Sequence, residues 1–425
     1  MARASTPPGR TLSRQKKVVY ALLALLLSLV LVEGGLRVLF AFKVGPRVLL
    51  YGTSVFRNQA TVQAAPGGLE LAGEFNAHRK GDHQAVGNTD QAVGTASGGY
   101  EKYFPNEKKF DFDEQGQRFD VSINEHGFRG KGFSVEKRPG VVRVVTLGAS
   151  STFGYYDRDD ETYPHYLEAD LNRSGGGRTF EVLNLGIPHL TSGQILELFR
   201  ADALPLNPDV VTFYEGINDS SLMPDAAWQA KTEAVAVESP FRRFRRKVAD
   251  LAFLRTAYSA ARDRLLVLTL IDSVLLSNVV TYDHADVERH ISGKSAAFLA
   301  NIAAIRDECR RRGIAFVVMT QQARSMTVAD VDGVTYDDEV RAIREKLAST
   351  DRIDHQEKTL LTHKVLMDDL REWARTEQVP LLDVIPLLDH DRGVLLSWVH
   401  LNPRGNRQIA AALSTEILSV LGARR

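Results

Sequence analysis

The sequence predicts an α/β protein: a parallel sheet covered on both faces by helices. Three observations predict it. From Val141 onward, short β-branched runs alternate with helical stretches, the rhythm of strand-helix-strand units. One of those stretches, AAFLANIAAIRDECRRRG, is a strongly amphipathic helix that stops at Gly313, where a glycine past the last turn is expected. Apolar residues make up 44% of the chain and charged residues 25%, the mix of a folded domain with a sizeable core.

The elements follow in chain order. Arg3, Arg10, Arg14, Lys16 and Lys17 precede the uncharged run VVYALLALLLSLVLV (Val18 to Val32), and no acid comes before it. That run is shorter than the ~20 residues a membrane span needs. The apolar pattern continues, however, as EGGLRVLFAF to Phe42. Glu33 and Arg37 lie on one helix face, where they neutralise each other. A helix from Val18 to Phe42 would measure roughly 37 Å, enough to cross a bilayer with tilt. The reading adopted is a retained signal anchor with a cytoplasmic basic tail at 1–17 and a transmembrane segment at 18–42. A cleaved signal peptide is the alternative, but no A-x-A-like site follows the apolar core. A buried core helix is the third reading, at odds with a run apolar on all sides. The anchor places the remaining chain outside the cytoplasm, in a periplasm or at the cell surface.

Residues 43–118 read as a juxtamembrane tether. Between Asn58 and Gly99 they are rich in Ala, Gly, Thr and Gln and lack periodicity. A flexible segment of that length has an end-to-end distance of roughly 35 Å. FDVSINEHGFRG (Phe119 to Gly130) alternates and turns at Gly127, the pattern of a short hairpin. The main domain, 119–425, continues with strand VVRVVTL, helix Thr162 to Asn172, a break at SGGG and strand Thr179 to Leu185. A helix from Gly193 to Leu204 leads to a third strand, Asp209 to Tyr214. Ile314 to Thr320 is the fourth strand and Gln378 to Asp383 a weaker fifth, and a helix from Asn402 to Val420 closes the chain.

Residues 223–292 break that rhythm and read as an inserted helical cap. They contain FRRFRRK (Phe241 to Lys247), a solvated basic face or a contact for anionic lipid headgroups. They also contain the apolar LLVLTLIDSVLLSNVV, where Asp272 argues against a second membrane span.

Composition excludes several functions. Lysine plus arginine equals aspartate plus glutamate at 53 each, which gives no case for nucleic-acid binding. Cys309 is the only cysteine, so neither an intrachain disulfide nor a cysteine metal site can form. H-x-x-x-H spacings, helix-face carboxylate clusters and a G-x-x-x-x-G-K-[ST] loop are all absent, so no metal, nucleotide or other cofactor is expected.

Four positions stand where chemistry gathers in such a sheet, at the carboxyl ends of strands. Ser150 follows the first strand in LGASSTFG, and Gly186 follows the second in NLGIPHLTS. Asn218 follows the third in YEGINDS, and His400 lies in SWVHLNPRGN before the last helix. Together these blocks resemble those of the SGNH hydrolases, the GDSL esterase/lipase superfamily, over about Val141 to Val420. SINEHGFRG and the N-terminal anchor resemble a membrane-attached bacterial branch of it.

The resemblance implies a three-layer α/β/α, flavodoxin-like fold and hydrolysis of a carboxylic ester. In the family block G-D-S-x-T-x-G or its small-residue variant, Gly148, Ser150, Thr152 and Gly154 match, so Ser150 takes the nucleophile's place and Ser151 the variable one. The same resemblance assigns the oxyanion hole to the amides of Ser150 and Gly186 and the side chain of Asn218, with His400 as general base. Asp219 then supports the Asn218 loop, and His189, close to Gly186, is placed to line the pocket.

Two departures stand out. Ala149 replaces the family aspartate after Gly148, and Ser397 replaces the aspartate of D-x-x-H. Loss of that charge in a triad lowers turnover about 10⁴-fold. Three explanations stay open: a main-chain carbonyl near Ser397 orients His400, Asp389 or Asp391 substitutes in space, or the site is non-catalytic. The expected partners are an ester substrate, lipid-derived or an acylated cell-envelope glycan, and the membrane. O-acyl transfer to an envelope polysaccharide and a silent binding protein are the alternatives to hydrolysis. Oligomeric state is not legible in the sequence.

Overall fold

The computed structural model describes residues 14–44, 100–113, 117–221, 282–325 and 333–423. Most of the expected cap, 223–292, and the tether from 45 to 99 lie outside the described residues, as do FRRFRRK and Asp272.

The first helix, α1, runs Arg14–Val44, and its Arg37 Nε meets Glu33 Oε1 at 2.8 Å, the expected pairing across one turn. Among the described residues no helix is long and apolar enough to cross a membrane. The helix thus covers the expected segment 18–42, with Glu33 and Arg37 inside it, but a membrane crossing is not shown among the described residues.

The domain reaches back to Tyr100 and Tyr103, both buried, so the expected tether is shorter than 43–118. Strands β1 (Lys108–Phe112) and β2 (Arg118–Ser122) form an antiparallel hairpin. The expected turn at Gly127 is present at φ +80°, where a Cβ would stand 2.4 Å from Tyr103 O. The main hairpin partner of β2 is nonetheless the upstream strand, and only Ile123 and Arg129 bridge across the Gly127 turn.

The central sheet has the order β4-β3-β5-β6-β7, every pairing parallel: β3 (Val141–Gly148), β4 (Thr179–Asn184), β5 (Val210–Tyr214), β6 (Ala315–Met319) and β7 (Leu381–Leu382). Strand residues alternate between two cores. Val145, Leu147, Val211, Phe213, Phe316 and Val318 face one. It is closed by α4 (Ser192–Leu198), α7 (Lys294–Arg311), α8 (Tyr336–Thr350) and α9 (His355–Thr376). Val144, Val210, Tyr214, Val317 and Met319 face the other, against α3 (Tyr163–Ser174), α10 (Val384–Leu388) and α11 (Pro403–Ala423). Burial on both faces is what a parallel sheet requires.

Two short helices, α2 (Ser150–Phe153) and α5 (Ile217–Ser221), stand at strand ends, and α6 (His284–Ile291) lies where the cap was expected to end. Helices α8 and α9 were not anticipated. Each begins with a capping box, Thr335 with Asp338 and Asp354 with Glu357, a start signal present in the sequence.

A fully buried ion pair, Arg392 with Glu339 at 2.5 Å, ties α8 to the segment before β-bridge Leu395–Leu401. Arg392 also donates to Ala323 O at 2.7 Å, and Glu339 accepts from Ser325 N at 2.8 Å. Removing one partner strands the other charge in the core, so Arg392→Met should lose about 3–5 kcal/mol. Urea unfolding followed by tryptophan fluorescence measures this, and an unchanged midpoint would show that the pair carries no stability.

Candidate active site

Strand register builds the site. Gly148, Tyr214, Met319 and Leu382 are successive neighbours across the sheet, so four chains leave it in one row. Two residues past that row stand Ser150, Gly216 and Gln321. Gly148 has no room for a side chain: a Cβ would meet Thr152 Oγ1 at 2.0 Å and Tyr214 O at 2.6 Å. The chain turns there into α2, whose Thr152 and Phe153 amides donate to Ala149 O at 3.1 and 2.8 Å. Gly154 closes the turn at φ +93°, in the left-handed region that favours glycine.

The two adjacent serines have different surroundings. Ser151 Oγ donates to Val399 O at 3.2 Å and accepts from Gln321 Nε2 at 3.2 Å, a buried structural position. Ser150 Oγ lies 2.8 Å from His400 Nε2. The histidine sits on a tight loop closed by the Leu396 amide donating to His400 O at 2.8 Å. The rings of Tyr155 and Tyr156 pack on its imidazole at centroid distances of 5.1 and 5.4 Å.

On the far side of the imidazole, Ser397 Oγ is 2.6 Å from His400 Nδ1. Of the three explanations left open, the main-chain carbonyl is not what meets Nδ1; the Ser397 hydroxyl itself does. Neither aspartate substitutes. Asp389 accepts from Gln322 Nε2 at 2.8 Å and from Tyr336 N at 3.0 Å, which directs it to the start of α8. Asp391 pairs with Arg404 at 2.9 Å near the surface. Burial pushes the His400 pKa down to about 3, and the neighbouring His189 charge adds to the effect. No carboxylate counters it, so the imidazole is held neutral.

The oxyanion donors expected by resemblance are differently occupied. Gly186 N–H donates to Asn184 Oδ1 at 2.9 Å, so this donor is already committed. Asn184 also donates to Thr152 O at 2.9 Å, stitching the β4 end to the Ser150 turn. Gly186 must be glycine for that approach, since a Cβ would stand 2.3 Å from Phe153 N. Asn218 Nδ2 donates to Leu190 O at 2.9 Å, which uses one of its two hydrogens. Ser150 N–H makes no hydrogen bond among the described residues. His189, exposed and at φ +67°, precedes Leu190 on the same loop.

Three residues not singled out in the sequence hold this arrangement. Gln321 reaches across the row: besides Ser151, its Oε1 accepts from Ile217 N at 2.9 Å. Glu215, buried, accepts from Asn218 N at 2.8 Å, and burial raises its pKa to about 8. Arg129, the arginine of SINEHGFRG, donates to the carbonyls of Phe153, Gly154 and Asp157 and pairs with Asp159 at 3.0 Å. It thus braces the turn that follows Ser150. A polar TQQ directly after an apolar strand was the available signal for Gln321. Asp219 accepts from Ser192 N and Oγ at 2.8 and 2.6 Å, fastening the Asn218 loop to α4. A groove of about 450 Å³ beside Lys102, His126 and Pro205 shares no residue with this site.

Two outcomes follow from these positions. Because burial lowers the His400 pKa, its neutral form persists as pH falls below the usual 6.5. The acid limb of kcat/KM for a p-nitrophenyl ester should therefore lie below about pH 5. A midpoint near 6.5 would contradict the dry environment of the imidazole. Asp391→Asn should keep ester turnover within roughly twofold, as expected of a surface pair. A large loss would return Asp391 to the site.

Among solved structures, the chain is similar to a lipase/acylhydrolase from Enterococcus faecalis, with 16% identity over 65% of this chain and 96% of that one, at a TM-score of 0.36. It is also similar to an acetylxylan esterase from Geobacillus stearothermophilus, with 13% identity over 65% and 94% of the two chains, at a TM-score of 0.36. No curated protein matches. The model of the GDSL-like Lipase/Acylhydrolase family matches residues 146–408, well over half of the 425 residues and spanning the row of strand ends from Ser150 to His400. The chain belongs to the GDSL-like lipase/acylhydrolase family.

Proposed function

We propose that this protein is a serine hydrolase of carboxylic esters, working through a Ser150 acyl-enzyme. The contact between Ser150 Oγ and His400 Nε2, 2.8 Å, carries the reading. Ser150 Oγ attacks the ester carbonyl while His400 Nε2 takes its proton. The developing oxyanion is met by Ser150 N–H and the second hydrogen of Asn218 Nδ2, with Gly186 N–H joining if it leaves Asn184. A donor of this kind contributes about 10²–10³ in rate. His400 then returns the proton to the alcohol oxygen as the C–O bond breaks. Water repeats the sequence on the acyl-enzyme and releases the acid.

The reading extends to location. The basic flank followed by VVYALLALLLSLVLV supports a membrane-attached branch of the family, anchored by its N-terminus with the domain outside the cytoplasm. That setting favours an ester carried by a lipid or by an acylated envelope glycan. One observation favours a second reading, a silent binding protein: His400 has a hydroxyl where a carboxylate would stabilise imidazolium.

Fluorophosphonate labelling and p-nitrophenyl ester turnover of the full chain decide between them. Wild type should label, and Ser150→Ala should lose labelling and about 10³-fold or more in turnover. Ser151→Ala should retain labelling. A folded wild-type chain that does not label would favour the binding protein. Product analysis with an oligosaccharide present separates hydrolysis, which yields free acid, from acyl transfer, which yields acylated sugar.

A further inference from the structure

The hydroxyl of Ser397 has its hydrogen-bonding capacity almost fully assigned by the fold. A serine oxygen offers two lone pairs and one proton. His400 N–H donates to Ser397 Oγ at 3.1 Å, and Val399 N–H donates to it at 3.4 Å. The first amide takes one lone pair, and the second, more distant, faces the other. The one remaining contact is His400 Nδ1 at 2.6 Å, the only acceptor within reach of the Ser397 proton among the described residues. The opposite arrangement, with Nδ1 protonated, would have one oxygen accept from three N–H groups while its own proton found no acceptor. In this buried site an unmade hydrogen bond is costly.

We propose that Ser397 is a donor to His400 and holds the imidazole in the tautomer protonated at Nε2. In that state Nε2–H donates to Ser150 Oγ across the 2.8 Å contact, and the Ser150 proton, on a residue still 8% exposed, is left to solvent. The ring then has no lone pair facing the nucleophile, and the resting site is latent. Attack on an ester requires the other tautomer, with the proton on Nδ1 and the Nε2 lone pair facing Ser150. Ser397 is thus a positioning residue that sets the fraction of competent enzyme. The aspartate usual at this place in the family accepts only, and selects the competent tautomer. No acid compensates, since Asp389 and Asp391 are directed elsewhere. Part of this inference, the consequence for rate, rests on the hydrolase reading; the proton's place does not.

The experiment is long-range ¹H–¹⁵N correlation NMR of the ¹⁵N-histidine-labelled full chain, with His400 assigned by its loss in His400→Gln. Wild type should show Nε2 protonated and Nδ1 bare. Ser397→Asp should move the proton to Nδ1, and Ser397→Ala, lacking the donor, should leave a mixture. Fluorophosphonate labelling at Ser150 should accelerate at least about tenfold in Ser397→Asp, the gain expected when roughly one hydrogen bond no longer opposes the competent tautomer. Wild-type Nδ1 protonation would overturn the assignment. So would Ser397→Ala with the wild-type tautomer, because the hydroxyl would then not be its cause. Tautomers as expected with no labelling in any variant would uphold the assignment and end the hydrolase reading instead.

Discussion

Four parallel strands that end in register are the constraint on which this molecule depends. Gly148, Tyr214 and Met319 share one row, and two or three residues later each chain presents a group that the others need. Ser151 meets Gln321, and Gln321 meets the amide of Ile217. A one-residue slip would turn every side chain to the opposite face and scatter these contacts. Gly148 makes the row usable, because any larger residue would collide with Tyr214 O and push the Ser150 turn off the sheet edge.

Around that row the protein spends many buried polar groups on position. Arg129 braces the carbonyls behind Ser150, Glu215 collects amides beneath Asn218, and Asp219 binds the same loop to α4. Networks of this kind rigidify when satisfied, since a low dielectric strengthens each bond and penalises each unmade one. The hairpin reaches the site the same way: Tyr103, Phe119, Val121 and Ile123 form one small core with Phe153, Tyr155, Tyr156 and Leu396. Two of those tyrosines also pack on His400. The SINEHGFRG segment thus supports the edge that carries Ser150 and His400 and is not merely an approach to the main domain.

His400 itself stands apart from that pattern. Its surroundings are aromatic, its distal nitrogen meets a hydroxyl, and burial keeps it neutral. A carboxylate there would stabilise positive charge and choose the tautomer at once. Ser397 satisfies the nitrogen without supplying charge, so proton position becomes a question of which neighbours fill the oxygen's lone pairs.

The amino-acid sequence alone determined the class of fold and the succession of the main strands, and it pointed to Ser150 and His400, which the fold brings within 2.8 Å of each other. Those were legible because buried strands, glycine stops and short blocks are local properties. Strand ends, moreover, must gather on one side of a parallel sheet. Helices α8 and α9 carry their start signals in the capping boxes of Thr335 with Asp338 and Asp354 with Glu357. What only the tertiary structure decided was partnership. Asp389 and Asp391 lie near His400 in sequence yet serve Tyr336 and Arg404. Gly186 spends its amide on Asn184, and Gln321 crosses 170 positions to reach Ser151. A hydrogen bond is settled by distance and direction within a few tenths of an ångström, and spacing along a chain carries neither.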